Sequence, residues 1–125
     1  MTRRKPLVIR AGWIERLQVG DLLDFGKLNL GPVSQLTVVS GAVTITRSYH
    51  SIFSAANVNL TTINGGEEGD ILVIRGAATS GTISVRDNTV NLRLAGNFSL
   101  SDATDTMVML FDGANWIELC RSNNG

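Results

Sequence analysis

The amino-acid sequence predicts a single all-β domain. Apolar residues recur at every second position far more often than at helical spacing, as in the segment Thr82-Ile83-Ser84-Val85-Arg86. Turn signals rich in Gly, Asn and Asp divide the chain into segments of roughly 8–12 residues, a rhythm typical of β-sandwiches and barrels. A chain of 125 residues leaves no room for the long helical crossovers of a doubly wound sheet. We therefore expect one antiparallel, sandwich-like or barrel-like domain with an extended N-terminal arm.

The beginning of the chain differs in character from the rest. Residues 1–30 are predicted to form an N-terminal arm and the first strands, and residues 31–125 the β-sandwich domain. The first ten residues contain no acidic side chain, Pro6 excludes an early helix, and the basic residues there are Arg3, Arg4, Lys5 and Arg10. Residues 12–18 alternate as a strand does, whereas residues 26–34 contain two glycines and a proline, which is typical of a linker.

Alternation predicts most strands of the domain. Residues 35–39 and 42–46 flank Ser40-Gly41, a pair suited to a tight hairpin turn. Residues 82–86 and 91–94 alternate strictly, which indicates strands with one face in water. These patterns predict a core formed mostly by Leu36, Val38, Val43, Ile45, Ile71, Val73, Ile83, Val85, Leu92, Leu94, Val108, Leu110, Ile117 and Leu119.

Three segments depart from simple alternation. Residues 71–74 and 107–111 are apolar on both faces, which indicates central strands or strands covered by another subunit. Residues 107–119 form the clearest hairpin, with a four-residue turn at Asp112-Gly113. Residues 48–56 carry apolar side chains at helical spacing and form the one candidate helix, with an irregular loop as the alternative.

Composition excludes several partners. Eleven basic and eleven acidic residues cancel, so net charge does not steer the chain to nucleic acid or to an anionic membrane. Cys120 is the only cysteine and forms no internal disulfide. The apolar run near the N-terminus is too short for a signal peptide or a membrane span, so we expect synthesis and folding in a cytoplasm.

No arrangement typical of catalysis is visible in the sequence. His50 is the only histidine, and together with Cys120 it cannot supply the three or four ligands of a zinc site. We interpret His50 as a surface or packing residue and Cys120 as a small apolar filler. Residues 67–70 carry three carboxylates, and Asp102 with Asp105 forms a second acidic patch. We interpret both patches as solvated loops that discourage edge pairing, and calcium binding is the alternative. We expect no enzyme activity, no metal, no cofactor and no small-molecule ligand.

A series of short motifs in the second half of the chain carries a resemblance. Gly69-Asp70 precedes an apolar strand, Asn91-Leu92-Arg93-Leu94 forms a further strand, and Asp105-Thr106 begins another; they are followed by Asp112-Gly113 with Trp116 and Glu118. With these motifs residues 66–125 resemble a module of tailed-bacteriophage virion proteins. The opening KPLVIRAGWIERLQVGD is similar to the openings of such proteins.

The resemblance implies a structural protein of the virion. We expect a capsid decoration or cement protein that binds the outer surface of the head and bridges capsid subunits, because the chain has no long repetitive shaft. A tail or head fibre or spike accessory subunit is the alternative. A carbohydrate-binding module is the weaker one, with Trp13, Tyr49 or Trp116 as a stacking platform. The implied partners are the major capsid protein and copies of the same chain, most simply as a homotrimer assembled after synthesis in the host cytoplasm.

Attachment is assigned to the N-terminal arm. The basic residues would steer the arm to an acidic rim, and Leu7-Val8-Ile9 would add a strand to an exposed sheet edge through main-chain hydrogen bonds. The predicted partner-binding residues are Arg3, Arg4, Lys5, Leu7, Val8, Ile9, Arg10 and Trp13. The alternative is that residues 6–10 form the first strand of the sandwich itself, preceded by a frayed terminus.

Overall fold

The described part of the molecule consists of β-strands and loops. The computed structural model describes residues 7–10, 13–16, 18–20, 22, 24 and 26–125. No helix occurs in these ranges, so the predicted all-β class is confirmed. The strands in chain order are β1 (Leu7–Arg10), β2 (Trp13–Arg16), β3 (Ser34–Thr37), β4 (Ala42–Thr44), β5 (Tyr49–Phe53), β6 (Val58–Leu60), β7 (Thr62–Asn64), β8 (Ile71–Gly76), β9 (Ile83–Val85), β10 (Leu92–Arg93), β11 (Phe98–Leu100), β12 (Thr106–Phe111) and β13 (Trp116–Ser122).

The strands form four sheets. One sheet has six strands in the order β10-β13-β12-β8-β5-β3, one has three in the order β11-β9-β6, and β4-β7 and β1-β2 form two-stranded sheets. Five of the nine strand pairs within the described ranges are parallel and four are antiparallel. The expectation of an antiparallel domain is therefore correct for only part of the ladders.

The parallel pairs arise because the chain winds in stacked coils. Strand β5 stacks on β3 and β8 on β5, while β7 stacks on β4 and β9 on β6. This is the geometry of a short β-solenoid rather than of a sandwich or barrel. Successive coils differ in length. Ser34 pairs with His50, 16 positions later, whereas His50 pairs with Ile74, 24 positions later (50 to 74). Unequal coils leave no fixed period in the sequence, which is why no repeat is visible there.

Antiparallel strands close the C-terminal end of the stack. Strand β12 runs antiparallel to β8, β13 pairs with β12, and β11 pairs antiparallel with β9. The β12–β13 hairpin is the one that the sequence predicts. Its turn is held by the Asp112 carboxylate, which accepts hydrogen bonds from the Ala114 and Asn115 amides, and by Gly113 at a φ of 99°. A bulge interrupts the pairing after Val108.

The core consists mainly of aliphatic side chains, with one fully buried tryptophan. Trp116 is fully buried, its Nε1–H donates to the Ile63 carbonyl (3.1 Å), and its ring lies 4.9 Å from that of Phe111. A Cβ at Gly66 would lie 2.7 Å from Trp116 Cζ2, so the close approach of this loop requires glycine. The buried apolar side chains are Val43, Ile45, Ile52, Leu60, Ile63, Leu72, Ile74, Ala77, Ile83, Val85, Leu92, Phe98, Leu100, Met107, Met109 and Trp116.

The predicted core is correct in some strands and inverted in others. Five predicted members are buried and three pack half-buried against the cluster: Val43, Ile45, Ile83, Val85 and Leu92, then Leu36, Val38 and Leu94. In β8, β12 and β13 the expected face points outward, and the neighbouring residues fill the core instead. The reversed positions are Ile71, Val73, Val108, Leu110, Ile117 and Leu119. Where both faces of a strand are apolar, alternation does not identify the inner one.

The candidate helix is a strand. Residues 49–53 form β5, paired in parallel with β3 on one side and with β8 on the other. His50 and Ile52 are both fully buried and lie two positions apart, which is the period of a strand. Hydrogen bonds to a neighbouring strand on each edge stabilise the strand conformation of these residues, although their apolar side chains have helical spacing.

Candidate interaction surface

The six-stranded sheet has an outer side rich in apolar residues. We call this side the outer face; Leu110 on β12 lies opposite Ile71 on β8 and Ile117 on β13. Ile71 is 41% exposed and Ile117 39%, which is high for isoleucine in the middle of a sheet. The outer face comprises Tyr49, Ile71, Val73, Val108, Leu110, Ile117 and Cys120. An apolar area of this kind is typical of an interaction site.

A cleft borders the outer face. The linker segment 27–31 lies beside Tyr49, Val73 and Thr106 and encloses with them a cleft of about 450 Å³. Two leucines of that segment, Leu28 and Leu30, are themselves exposed, so the apolar surface continues from the sheet onto the linker. The sequence interpretation treated this linker as a spacer, although the alternation in Lys27-Leu28-Asn29-Leu30 was the signal that it carries contact residues.

Arg75, at the edge of the outer face, donates three hydrogen bonds within the molecule. Arg75 Nε donates to the Tyr49 hydroxyl (3.1 Å), and Nη1 donates to the carbonyls of Gly76 (3.2 Å) and Ala103 (3.0 Å). These bonds leave the positive charge in place and occupy the Nε and Nη1 donors of the guanidinium. The outer face therefore presents aliphatic surface between Arg75 and a second cation, the exposed Arg93, which lies beside Ile117.

The predicted arm residues divide into two groups. Arg3, Arg4 and Lys5 lie outside the described residues. The stretch Leu7-Val8-Ile9-Arg10 is β1, and Trp13 begins β2, whose pairing sets Arg10 opposite Trp13 and Leu7 opposite Arg16. The structure thus brings the remaining five predicted residues, Leu7, Val8, Ile9, Arg10 and Trp13, into one hairpin, which forms a two-stranded sheet of its own.

His50 is a buried packing residue with a defined tautomer. Its Nε2 accepts hydrogen bonds from the backbone amides of Thr46 (3.1 Å) and Arg47 (3.3 Å), so the ring proton is on Nδ1, which donates to the Ser34 carbonyl (2.9 Å). The imidazole links the first coil to the second across the β3–β5 pair. Its bonds are all to main-chain groups, which is a structural arrangement.

Cys120 is not the apolar filler that the sequence predicts. It lies on β13 opposite Val108 and is exposed. The β-bulge beside it shifts the pairing by one residue and turns Leu119 outward as well, at 54% exposure. An exposed thiol in the outer face is accessible for labelling or cross-linking.

The acidic residues act as hydrogen-bond acceptors for backbone amides. Asp105 is fully buried and accepts bonds from the amides of Ser101, Asp102, Asn124 and Gly125. Burial alone would raise the pKa of Asp105, but these four amides together hold it below its ordinary value. In the acidic loop of residues 67–70, the Asp70 carboxylate accepts a bond from the Glu67 amide (2.8 Å). No group of three or more His, Cys, Asp or Glu residues that could hold a metal occurs in the described ranges.

The Asp-Gly-x-x-Trp-x-Glu motif forms a structural unit. Glu118 receives two hydrogen bonds from Arg121 and one from the Ala95 amide, and Arg121 lies over the ring of Phe98 at 4.9 Å. The side-chain hydrogen bond with Arg121 is the main cause of the lowered pKa of Glu118. These contacts fasten β13 to the loop before β11.

Of the three aromatic residues considered as carbohydrate platforms, one is excluded. Trp116 is completely buried and cannot stack on a sugar. Tyr49 is half-buried and its hydroxyl accepts a bond from Arg75, and Trp13 belongs to the separate β1–β2 hairpin.

Comparison with known proteins gives no assignment. No protein-family model matches the chain, and no curated protein or solved structure matches it. In the ranges that the structure describes, no helix is long and apolar enough to cross a membrane.

Proposed function

We propose that this chain is a structural protein of a tailed-bacteriophage virion, most directly a decoration or cement protein on the outside of the head. The observation that carries the proposal is the apolar outer face on a firmly hydrogen-bonded stack. The motif resemblance of residues 66–125 supports the same role. In this role the chain works by binding rather than by catalysis, and its partners are the major capsid protein and its own copies as a homotrimer.

Attachment to the capsid is proposed for the β1–β2 hairpin and the basic residues before it. A two-stranded sheet presents main-chain donors and acceptors on its outer edges, which suits strand addition to a partner sheet. Arg3, Arg4, Lys5 and Arg10 add a positive charge that favours an acidic rim. The proposal places the contact outside the coiled body, so its removal leaves the body able to fold.

A truncation tests this role. A chain lacking residues 1–10 and the intact chain are incubated with purified phage heads that lack the protein, and bound chain is measured by sedimentation at rising salt. We expect the truncated chain to keep its β-type circular dichroism and to lose binding, while binding of the intact chain weakens as salt rises. Arg86→Gln, which removes one exposed cation from the body, serves as the control for Arg4→Gln. Equal binding of the truncated and intact chains would contradict the proposal.

A fibre or spike accessory subunit is the second candidate. The observation that favours it is the parallel stacking of coils, because a solenoid extends along one axis and transmits contact from coil to coil. Density maps of intact virions distinguish the two candidates by the position of the chain on the head or on the tail.

A further inference from the structure

The segment between the hairpin and the first coil exposes an unusual number of aliphatic side chains. Val19 is 96% exposed, Leu22 93% and Leu28 71%. Leu30 and Val33 follow at 37% and 38%. Scattered exposed apolar residues are ordinary, but five within fifteen positions of one segment leave much aliphatic surface in water. We call the described residues of this segment, 19–20, 22, 24 and 26–33, the linker arm.

The described residues of the same chain cover the outer face only in part. Ile71 and Ile117 are exposed there, Val73 and Leu110 are half-buried, and Leu119 adjoins them. Two cations border this face: Arg75 donates to three acceptors within the molecule, and the exposed Arg93 lies beside Ile117 on β10. Between these two cations the surface is aliphatic, which suits an aliphatic segment as its partner.

We propose that the linker arm of one copy packs on the outer face of a second copy. Residues 27–31 lie beside Tyr49 and Val73 in their own chain, so the arm leaves the body at the border of the outer face. The eight residues from 19 to 27 span up to about 26 Å when extended, more than the roughly 19 Å width of four strands. The arm is long enough to cover its own face, yet Val19 and Leu22 are almost fully exposed. A neighbouring copy is therefore the occupant that the geometry favours.

The surface buried between copies is sufficient for a specific contact only when each copy both contributes an arm and accepts the arm of another copy. Burying one Val or Leu side chain removes roughly 60–120 Å² from water, by the usual transfer coefficient. Because Leu30 and Val33 are only about one-third exposed, the five side chains together bury about 200–400 Å² on the arm and a similar area on the face, or about 400–800 Å² per contact. A single contact of that size is weak. In a closed ring each copy gives one arm and receives one, so that two such contacts hold each copy.

This contact deepens the proposed function by naming how the copies meet, and it rests on the self-association part of that proposal. Its tests use the isolated chain without capsids. A failure of the arm contact therefore appears as monomer in solution, whereas a failure of the capsid role appears as an intact oligomer that does not bind heads.

Cross-linking between two single-cysteine chains tests the contact directly. The natural chain has its thiol only at Cys120, on the outer face. A size-tagged Leu22→Cys/Cys120→Ser chain has its thiol only on the arm. After mixing, subunit exchange and mild oxidation, we expect a disulfide-linked pair of one tagged and one natural chain to exceed either like pair at least threefold. A Val90→Cys/Cys120→Ser chain, altered at a residue 73% exposed elsewhere, is the control. Mixed pairs no more frequent than in this control would overturn the proposal.

A charge introduced on either side tests its energetic role. Leu22→Glu on the arm and Ile117→Glu on the face are each expected to weaken self-association at least tenfold in light scattering and sedimentation, whereas Val90→Glu leaves it within twofold. Leu22 is so exposed that its substitution cannot harm folding of the single chain, so that variant is decisive even if Ile117→Glu unfolds. A monomeric natural chain at high concentration, or an unchanged oligomer in Leu22→Glu, would refute the contact.

Discussion

Replacing Asn91 with alanine should destabilise the stack, because the Asn91 side chain makes the main-chain hydrogen bonds to β7 that a neighbouring strand would otherwise make. Among the described strands β7 pairs only with β4, so its other edge has no strand partner. The Asn91 amide completes that ladder: its Oδ1 accepts the Ile63 N–H (3.1 Å) and its Nδ2 donates to the Ile63 carbonyl (2.7 Å). Ile63 is 1% exposed, so water does not replace these bonds easily.

The magnitude follows from the two bonds taken separately. Without Asn91 the Ile63 N–H is buried and unpaired, which costs about 1–3 kcal/mol. The Ile63 carbonyl keeps the bond from Trp116 Nε1 (3.1 Å), so its loss is only that of one ordinary hydrogen bond, about 0.5–1.5 kcal/mol. The sum is about 2–4 kcal/mol, and the melting temperature should fall by roughly 6–20 °C for a chain of this length.

Thermal and urea unfolding followed by circular dichroism measure this change. Asn59→Ala, at an exposed asparagine of β6, is the matched control and should lie within about 0.5 kcal/mol of the natural chain. Trp116→Phe removes the second donor to Ile63, so the double variant should lose about 1 kcal/mol more than the two single variants add up to. An Asn91→Ala chain as stable as the Asn59→Ala chain would show that the amide does not complete the ladder.

Two further predictions concern buried polar side chains. Asp105→Asn should lower the free energy of unfolding by about 1.5–3 kcal/mol at neutral pH, since bonds to a charged acceptor are lost. Because the pKa of Asp105 is lowered in the folded chain, its stabilisation is present above the ordinary pKa of the carboxyl group and is lost as the pH falls through the folded-state pKa. The stabilities of the two chains should therefore converge in acid, and a constant difference down to pH 2 would contradict this origin. His50→Phe keeps an aromatic ring at this position but removes the hydrogen bonds to Thr46, Arg47 and Ser34. In thermal unfolding the variant should be less stable than the natural chain by about 1–3 kcal/mol. Equal stability of the two chains would show that these bonds contribute nothing.

The class of the fold could be predicted from the sequence because alternation and turn residues are local signals. They identify the β12–β13 hairpin and most strands correctly. Parallel stacking could not be predicted, because it depends on which coil follows which, and the distances between stacked residues vary from coil to coil. The short strand β5 also escaped notice, since its ladder partners lie far away in the sequence.

The surface was harder to predict than the core, for a related reason. Strands β8 and β12 are apolar on both faces, so the sequence predicted that they are covered but not which face the domain itself covers. The inner row turned out to be Leu72, Ile74, Met107 and Met109, which left the outer row for other contacts. Trp116 was a candidate for sugar stacking until its burial and its bond to Ile63 placed it in the core.

The two ends of the stack differ in a way that bears on assembly. At the C-terminal end antiparallel strands and the Asn91 amide continue the ladders. At the other end, β3 pairs only with β5 and β4 only with β7 among the described strands. The linker arm enters the fold at that same end, immediately before β3. The exposed aliphatic residues of the arm therefore enter the body beside the free edges of β3 and β4, with the β1–β2 hairpin before them in the chain, and it is from this end that we expect contacts with other copies and with the capsid to extend.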